Sequence, residues 1–555
     1  MKQQKHDQHK SVILILTIFT AILVTASGSV HATSSTSAPH YEDTNIILIS
    51  LQCLRPDHLG VYGYKRDTSP NIDKFAKQAV LFENAISQAN LTPVAQMSVL
   101  TSQYPRVNGM ISFEITKDQV TQTTLPGILK KYGYTTAAAL SSPEFFMRYD
   151  TGEQTMVNPG DVFSRDFDSF ERTRQGPGGG SIRKPPTAAF NWIRNNKDKK
   201  FFLWIGSGVI HLPYGATVPK EMQSMYDPPN YKPFWEKFPV TAKNSQAQGS
   251  PSYDILSRVY RNQFFWDFSP AHNLTDDDVR YINARYDVGV YYTDQFIGQL
   301  LKLLDSLDLS KKTLIVLHSI HGEDLGEGGR YFHYDVSDTV VKNALLVRFP
   351  GNELGGKRIP QQIQGIDITP TILNYLDIPP PHEAQGGSLL PLIKGEGPTP
   401  SEFAFIDRLP WWEYTLSKWY LRFQKNDQKA QFTPKELAGI DQYLPTLKTS
   451  FDELGYPPGD IAIRTNDWKL IVRKHIDLLN KLSWWSFLTG EKHDVPELEL
   501  YDLKNDPRET TNVAAKNPET VKILQDKLLS WDAKVEKQKA TYKKGADRLI
   551  IPYPQ

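Results

Sequence analysis

The sequence predicts an α/β protein, a doubly wound and mostly parallel sheet followed by a smaller C-terminal α+β subdomain. Two observations predict it. Short unbroken apolar runs rich in β-branched residues, such as 46–51, Phe201–Ser207 and Thr313–Ser319, have the texture of strands covered on both faces. Between residues 45 and 376 these runs alternate with segments whose apolar residues recur at helical spacing, and beyond the prolines at 379–381 the alternation stops.

Length and charge set the bounds. A chain of 555 residues accommodates one large α/β domain and a smaller one. With 23% charged residues and a formal net charge of +1 it has no electrostatic commitment to nucleic acid. At the N-terminus Lys2, Lys5 and Lys10 precede an apolar run over 12–24, and Val30 and Ala32 supply small residues for cleavage. This predicts a signal peptide over 1–32, a linker over 33–44 and a periplasmic or secreted product with no membrane span after cleavage. An uncleaved anchor is the alternative, and the apolar run falls short of the ~20 residues that span a bilayer. Cys53 is the only cysteine, so no intramolecular disulfide holds the chain.

In chain order, the strand over 46–51 ends in Gln52 and Cys53, and ligands of open α/β sheets sit just past such carboxyl ends. Ser69 before Pro70, with Ile72, Phe75, Ala76 and Ala79 at helical spacing, predicts a helix with one buried face. Thr92 before Pro93 predicts an N-cap and first helical residue; the hydroxyl then sits at the positive end of a helix, where an oxyanion is stabilised, or serves simply as a cap. A helix over 125–132, a strand over 135–140, a glycine-rich loop at 175–181 and a helix over 188–195 follow. The strand Phe201–Ser207 then leads to His211. Residues 220–269, rich in proline and aromatics without a period, predict an insertion over the carboxyl edge of the sheet. A long helix over 276–307 feeds the strand Thr313–Ser319 and a polar run holding Ile320, His321, Arg330 and His333. A strand over 344–350 and a helix over 368–376 complete a first domain, 45–380. The second, 381–555, has predicted strands over 461–474 and 497–503, an aromatic run at 482–487 and an amphipathic terminal helix over 518–539.

Several runs, taken together and in this order, resemble the sulfatase family of the alkaline-phosphatase superfamily. They are Leu54-Arg-Pro-Asp-His-Leu-Gly60, Ser69-Pro-Asn-Ile-Asp73, Leu100-Thr-Ser-Gln-Tyr-Pro105, His321-Gly-Glu-Asp-Leu-Gly326, Ile366-Asp-Ile-Thr-Pro-Thr371, Gly386-Gly-Ser-Leu-Leu390, and Trp468-Lys-Leu470 with Leu500-Tyr-Asp-Leu503. The resemblance covers roughly residues 45–531 and implies a sulfate- or phosphate-ester hydrolase fold with one divalent cation and a nucleophile at a helix start. Such chemistry needs a hard cation and positive donors to neutralise the transferring group, and hard cations take oxygen ligands.

The centre departs from the family. Gln52 and Cys53 stand where the family carries two adjacent Asp, and Ile320 with His321 where it carries Asp followed by His or Asn. Thr92 occupies the position of the Cys that sulfatases oxidise to formylglycine, and Gln96 that of an Arg. Threonine is a nucleophile in related transferases of the superfamily, but those relatives keep the carboxylates that activate it. His211 matches the family's substrate-contacting histidine, and His333 with Arg330 lies in the region that supplies further polar contacts. A metal-free pocket is expected, because Gln52, Cys53 and His321 give fewer than the four ligands of a structural zinc site; one divalent cation, calcium or zinc, is the alternative. Two readings follow: a pseudoenzyme that binds an anionic or glycan ester, and a divergent sulfuric- or phosphoric-ester hydrolase or transferase acting through Thr92.

Overall fold

The computed structural model describes residues 42–111, 122–141, 159–172, 184–212, 214–231, 275–333, 335–408, 459–474 and 496–542. The signal segment, nearly all of the linker, the glycine-rich loop, the insertion from 232 onward and the aromatic run at 482–487 lie outside them.

The main sheet has eight strands among the described residues. They are β1 (Asn45–Leu51), β2 (Val80–Ile86), β3 (Thr135–Leu140), β4 (Ser169–Arg172), β5 (Phe201–Ser207), β6 (Thr313–Ser319), β9 (Lys342–Arg348) and β10 (Arg358–Gln364). Two short strands, β7 (Asp324–Leu325) and β8 (Tyr331–Phe332), pair as a separate hairpin. The order is β10-β2-β9-β6-β1-β5-β3-β4, with β1 in the interior between β6 and β5 and parallel to both. Following the pairings outward, β9 alone runs against the rest, since it is antiparallel to both β6 and β2. The carboxyl ends of β1, β2, β5 and β6 therefore open on one edge.

Every residue of β1, β5 and β6 is buried, as continuous apolar strands between two helical layers should be. One apolar core lies on each face, and together they hold Ile46, Leu48, Phe202, Trp204 and Val316 on one side and Ile47, Ile49, Leu203, Ile315 and Leu317 on the other. Helix α1 (Pro70–Ala76) packs on the second face beside α3 (Asp276–Ser306), whose Thr275 and Asp278 close a reciprocal capping box. Helix α2 (Thr92–Thr101) follows β2 and is buried along its whole length. Leu91 is its N-cap and Thr92 its first residue, one position later in role than the sequence predicts, so the Thr92 hydroxyl has no capping duty.

The predicted strands and helices of the first domain are present within a few residues. The sequence reading omits β2, β4 and β10 of the main sheet and the short β7–β8 hairpin. Beyond α4 (Ile368–Tyr375), four antiparallel strands form the second sheet in the order β11 (Ala404–Asp407), β12 (Ile461–Arg464), β13 (Trp468–Val472), β14 (Leu498–Asp502), covered by α5 (Pro518–Tyr542). The stretch 461–474 is thus a hairpin rather than one strand.

Candidate functional site

The site starts where β1 ends. The Gln52 N–H still donates to the Ser207 carbonyl of β5, and the chain then turns through Cys53, which holds a left-handed φ of 60°. A non-glycine residue in that region costs about 1–3 kcal/mol, and the surroundings hold it there. The Tyr286 hydroxyl of α3 donates to the Cys53 carbonyl at 2.6 Å and accepts from the Arg55 N–H at 2.8 Å. Arg55 itself is buried, with its guanidinium forked onto Asp57 and reaching Glu327 and the Glu323 carbonyl, which ties the β1 loop to the β6 loop.

On that edge three side chains form a relay. Gln52 Nε2 donates to Thr92 Oγ1 at 2.6 Å, and Thr92 Oγ1 lies 2.8 Å from His321 Nε2. His321 Nδ1 is 2.9 Å from the Gly322 carbonyl, an acceptor only, so the neutral ring carries its proton on Nδ1. Nε2 is then the acceptor, and the Thr92 hydroxyl donates to it. Burial, with His333 adding like-charge repulsion, pushes His321 down to about 3, so the ring is neutral and a weak base. Thr92 is 1% exposed.

The same grammar recurs three residues earlier in the chain, inside the sheet. His318 Nδ1 donates to the Ser319 carbonyl, Ser50 Oγ donates to His318 Nε2 at 2.7 Å, and Trp204 Nε1 donates to Ser50 Oγ at 3.0 Å. All three of these residues are fully or almost fully buried, which makes the motif a way of satisfying a buried imidazole.

Beside the relay, His333 packs on both other histidines, with ring centroids 4.5 Å from His321 and 5.2 Å from His211. His333 Nδ1 is 2.9 Å from Glu323 Oε2, while Glu323 Oε1 accepts from the Tyr214 hydroxyl at 2.7 Å. Burial works to raise the Glu323 carboxyl, but His333 outweighs it and holds the group at about 2. Ligand-type atoms of Cys53, His321 and His333 all lie within 4.8 Å of one another. His211 Nδ1 donates to the Leu212 carbonyl, as a ring held in one tautomer does.

Of the remaining expected positions, Arg330 departs from its expected place and Ile320 is apolar as expected. Arg330 directs its guanidinium to the Glu509 and Arg508 carbonyls and toward Asp324, so it joins the two sheets instead of meeting the Thr92 relay. Ile320 gives its N–H to the Leu51 carbonyl and its side chain to the apolar core. Gln96, one helical turn beyond Thr92, is fully buried, and neither of its amide atoms has a hydrogen-bond partner among the described residues. Glu323 is the residue that sequence reasoning missed; it stands two positions past His321, but only the folded chain shows that it backs His333.

A buried edge of a mostly parallel sheet, a helix start presenting a hydroxyl, and polar groups gathered from four loops define the scaffold of an ester hydrolase of the alkaline-phosphatase type, carrying an atypical and incomplete metal-ligand cluster. The chain belongs to the sulfatase family: the family model Sulfatase matches residues 44–378. Human iduronate 2-sulfatase is 27% identical, over 62% of this chain and 66% of that enzyme. The N-acetylglucosamine-6-O-sulfatase of Bacteroides thetaiotaomicron is 22% identical over 93% of this chain and 92% of its own. Among solved structures, one in complex with its substrate D-glucosamine-2-N,6-O-disulfate superposes with a TM-score of 0.60 at 18% identity, covering 90% of this chain and 98% of that one. The phosphonate monoester hydrolase of Agrobacterium radiobacter gives 0.58 at 19% identity, covering 89% and 96%.

The hard cation implied by the family does not fit this donor set. Of the positions concerned, Gln52 turns its amide nitrogen to Thr92, Cys53 offers sulfur, Ile320 is apolar and His321 offers nitrogen. The neighbouring carboxylates are engaged: Glu323 by His333 and Tyr214, and Asp324 by the Ser337 and Thr339 hydroxyls. A calcium or magnesium ion needs six or more oxygens. No helix among the described residues is long and apolar enough to cross a membrane.

Proposed function

We propose that the protein is an exported pseudoenzyme of the sulfatase family that binds a sulfated glycan or similar anionic ester in the old cleft and does little or no ester hydrolysis by the family route. The observation that carries this is the closure of the Thr92 hydroxyl between Gln52 and a neutral His321, with Ile320 apolar beside it. An ester sulfate needs its developing charge neutralised in the transition state, and metal-assisted sites draw several kcal/mol from the ion. Losing ~4–6 kcal/mol slows turnover by roughly three to four orders of magnitude. Ground-state binding does not carry that loss, because His211, His333 and the buried Gln96 amide remain as polar contacts. The relatives named for glucosamine and iduronate sulfates make a sulfated amino-sugar glycan the ligand to try first.

The Thr92–His321 hydrogen bond favours one competing reading, a divergent hydrolase or transferase in which His321 takes the threonine proton. Calorimetric titration with sulfated glucosamine saccharides, alongside an assay for released sulfate or phosphate from aryl esters, separates the two. The pseudoenzyme reading expects binding without release. Ready turnover that Thr92→Ala abolishes would establish the competing one. The combined change Gln52→Asp, Cys53→Asp and Ile320→Asp should restore calcium binding before it restores any rate.

A further inference from the structure

The cluster that fails a hard cation has the chemistry of a softer one. Cys53, His321 and His333 contribute one sulfur and two nitrogens, a mixture suited to zinc and its transition-metal neighbours. Two features of the imidazoles point the same way. His321 gives its Nδ1 proton to the Gly322 carbonyl and His333 its Nδ1 proton to the Glu323 carboxylate, so each neutral ring is held by its Nδ1 side and keeps its lone pair on Nε2. Metal-ligating histidines are oriented in this way, by a backbone carbonyl or a carboxylate on the far nitrogen.

We propose that Cys53, His321 and His333 bind one zinc-class divalent ion, with Glu323 as the positioning residue behind His333. The inference does not depend on which anionic ligand the protein binds, although loading would free the Thr92 hydroxyl from His321. Zinc bonds of about 2.3 Å to sulfur and 2.0–2.1 Å to nitrogen call for tetrahedral ligand atoms closer together than 4.8 Å, and the three ligand-type atoms already lie within that distance of one another. Cys53 loses its thiol proton to solvent, and the ion takes the His321 lone pair that now accepts from Thr92. Three protein ligands leave a fourth position for water or an anion, as an open site does.

The test uses the full chain freed of metal by chelator and titrated with cobalt(II). A thiolate-to-cobalt charge-transfer band that saturates at one equivalent is expected, and because Cys53 is the only cysteine in the sequence the band identifies its ligand without any mutation. Zinc should abolish the band by displacing cobalt, whereas excess calcium should leave it. Glu323→Gln should weaken zinc by about 10–100-fold at unchanged stoichiometry. Cobalt binding without the band, no binding at all, or equal competition by calcium overturns the site; unchanged affinity in Glu323→Gln overturns the role given to Glu323.

Discussion

Gln96 concentrates the tension at the centre. A fully buried amide with neither atom paired among the described residues costs about 1–3 kcal/mol that an apolar side chain of similar length avoids. Gln96→Met should therefore stabilise the protein by about that amount in denaturant unfolding while weakening its affinity for sulfated saccharides. A variant that loses stability would show that the amide is satisfied in the folded protein and is no reserve for a ligand. Residue identity was legible here from the sequence, because the motif runs fix which positions carry Gln52, Cys53, Thr92, Gln96 and His321. Side-chain direction was not. Arg330 sits in the expected run yet reaches the second sheet, and the pairing of Glu323 with His333 depends on a turn that no linear pattern encodes.

At the scale of elements, the strands that the sequence revealed are those buried on both faces, and those it hid are marginal in pattern. Strand β10 carries Pro360 and polar residues at the sheet edge, where a missing donor is tolerated, and its register shifts between Ile359 and Gln362. Strand β2 holds Glu83 and Asn84 amid apolar residues, so neither period dominates. The loop after β6 is more constrained than its polarity suggests. Gly322 donates to the Val340 carbonyl at 2.6 Å, and a Cβ at this position would collide with the Thr339 carbonyl. Gly322→Ala should thus cost about 1–3 kcal/mol and shift His321 and Glu323 on either side. Cobalt titration of the folded variant should show weakened binding, and a fully retained affinity would show that the loop adapts.

For the molecule as a whole, buried ion pairs join the two sheets. Arg473 reaches Asp335, Asp460 and Glu499, and Asp338 receives both Arg464 and Lys469. Burial acts to raise the Asp335 carboxyl, yet Arg473 and Arg408 hold it well below the ordinary carboxylate range. A depressed folded pKa contributes stability above the unfolded value, near 4, and that contribution is lost as pH falls below it. Thermal unfolding followed from pH 7 to 3 should show a steep loss below about pH 4. Arg473→Gln should destabilise the protein by up to about 3–5 kcal/mol at neutral pH and flatten that slope, since it removes the cation shared by Asp335, Asp460 and Glu499 and leaves Arg408 as the charge facing the first two. An unchanged acid slope in the variant would place the sensitivity elsewhere.

The interior place of β1 has a further consequence, in time. Its partners are β5 and β6, and its pairing with β6 joins Asn45 to Thr313 and Leu51 to Ser319. At synthesis rates of roughly 5–20 residues per second, β6 leaves the ribosome about 14–55 s after β1. Throughout that interval one side of β1 is a bare row of backbone donors and acceptors, an invitation to wrong pairing. A chain built this way benefits from being held extended until it is complete.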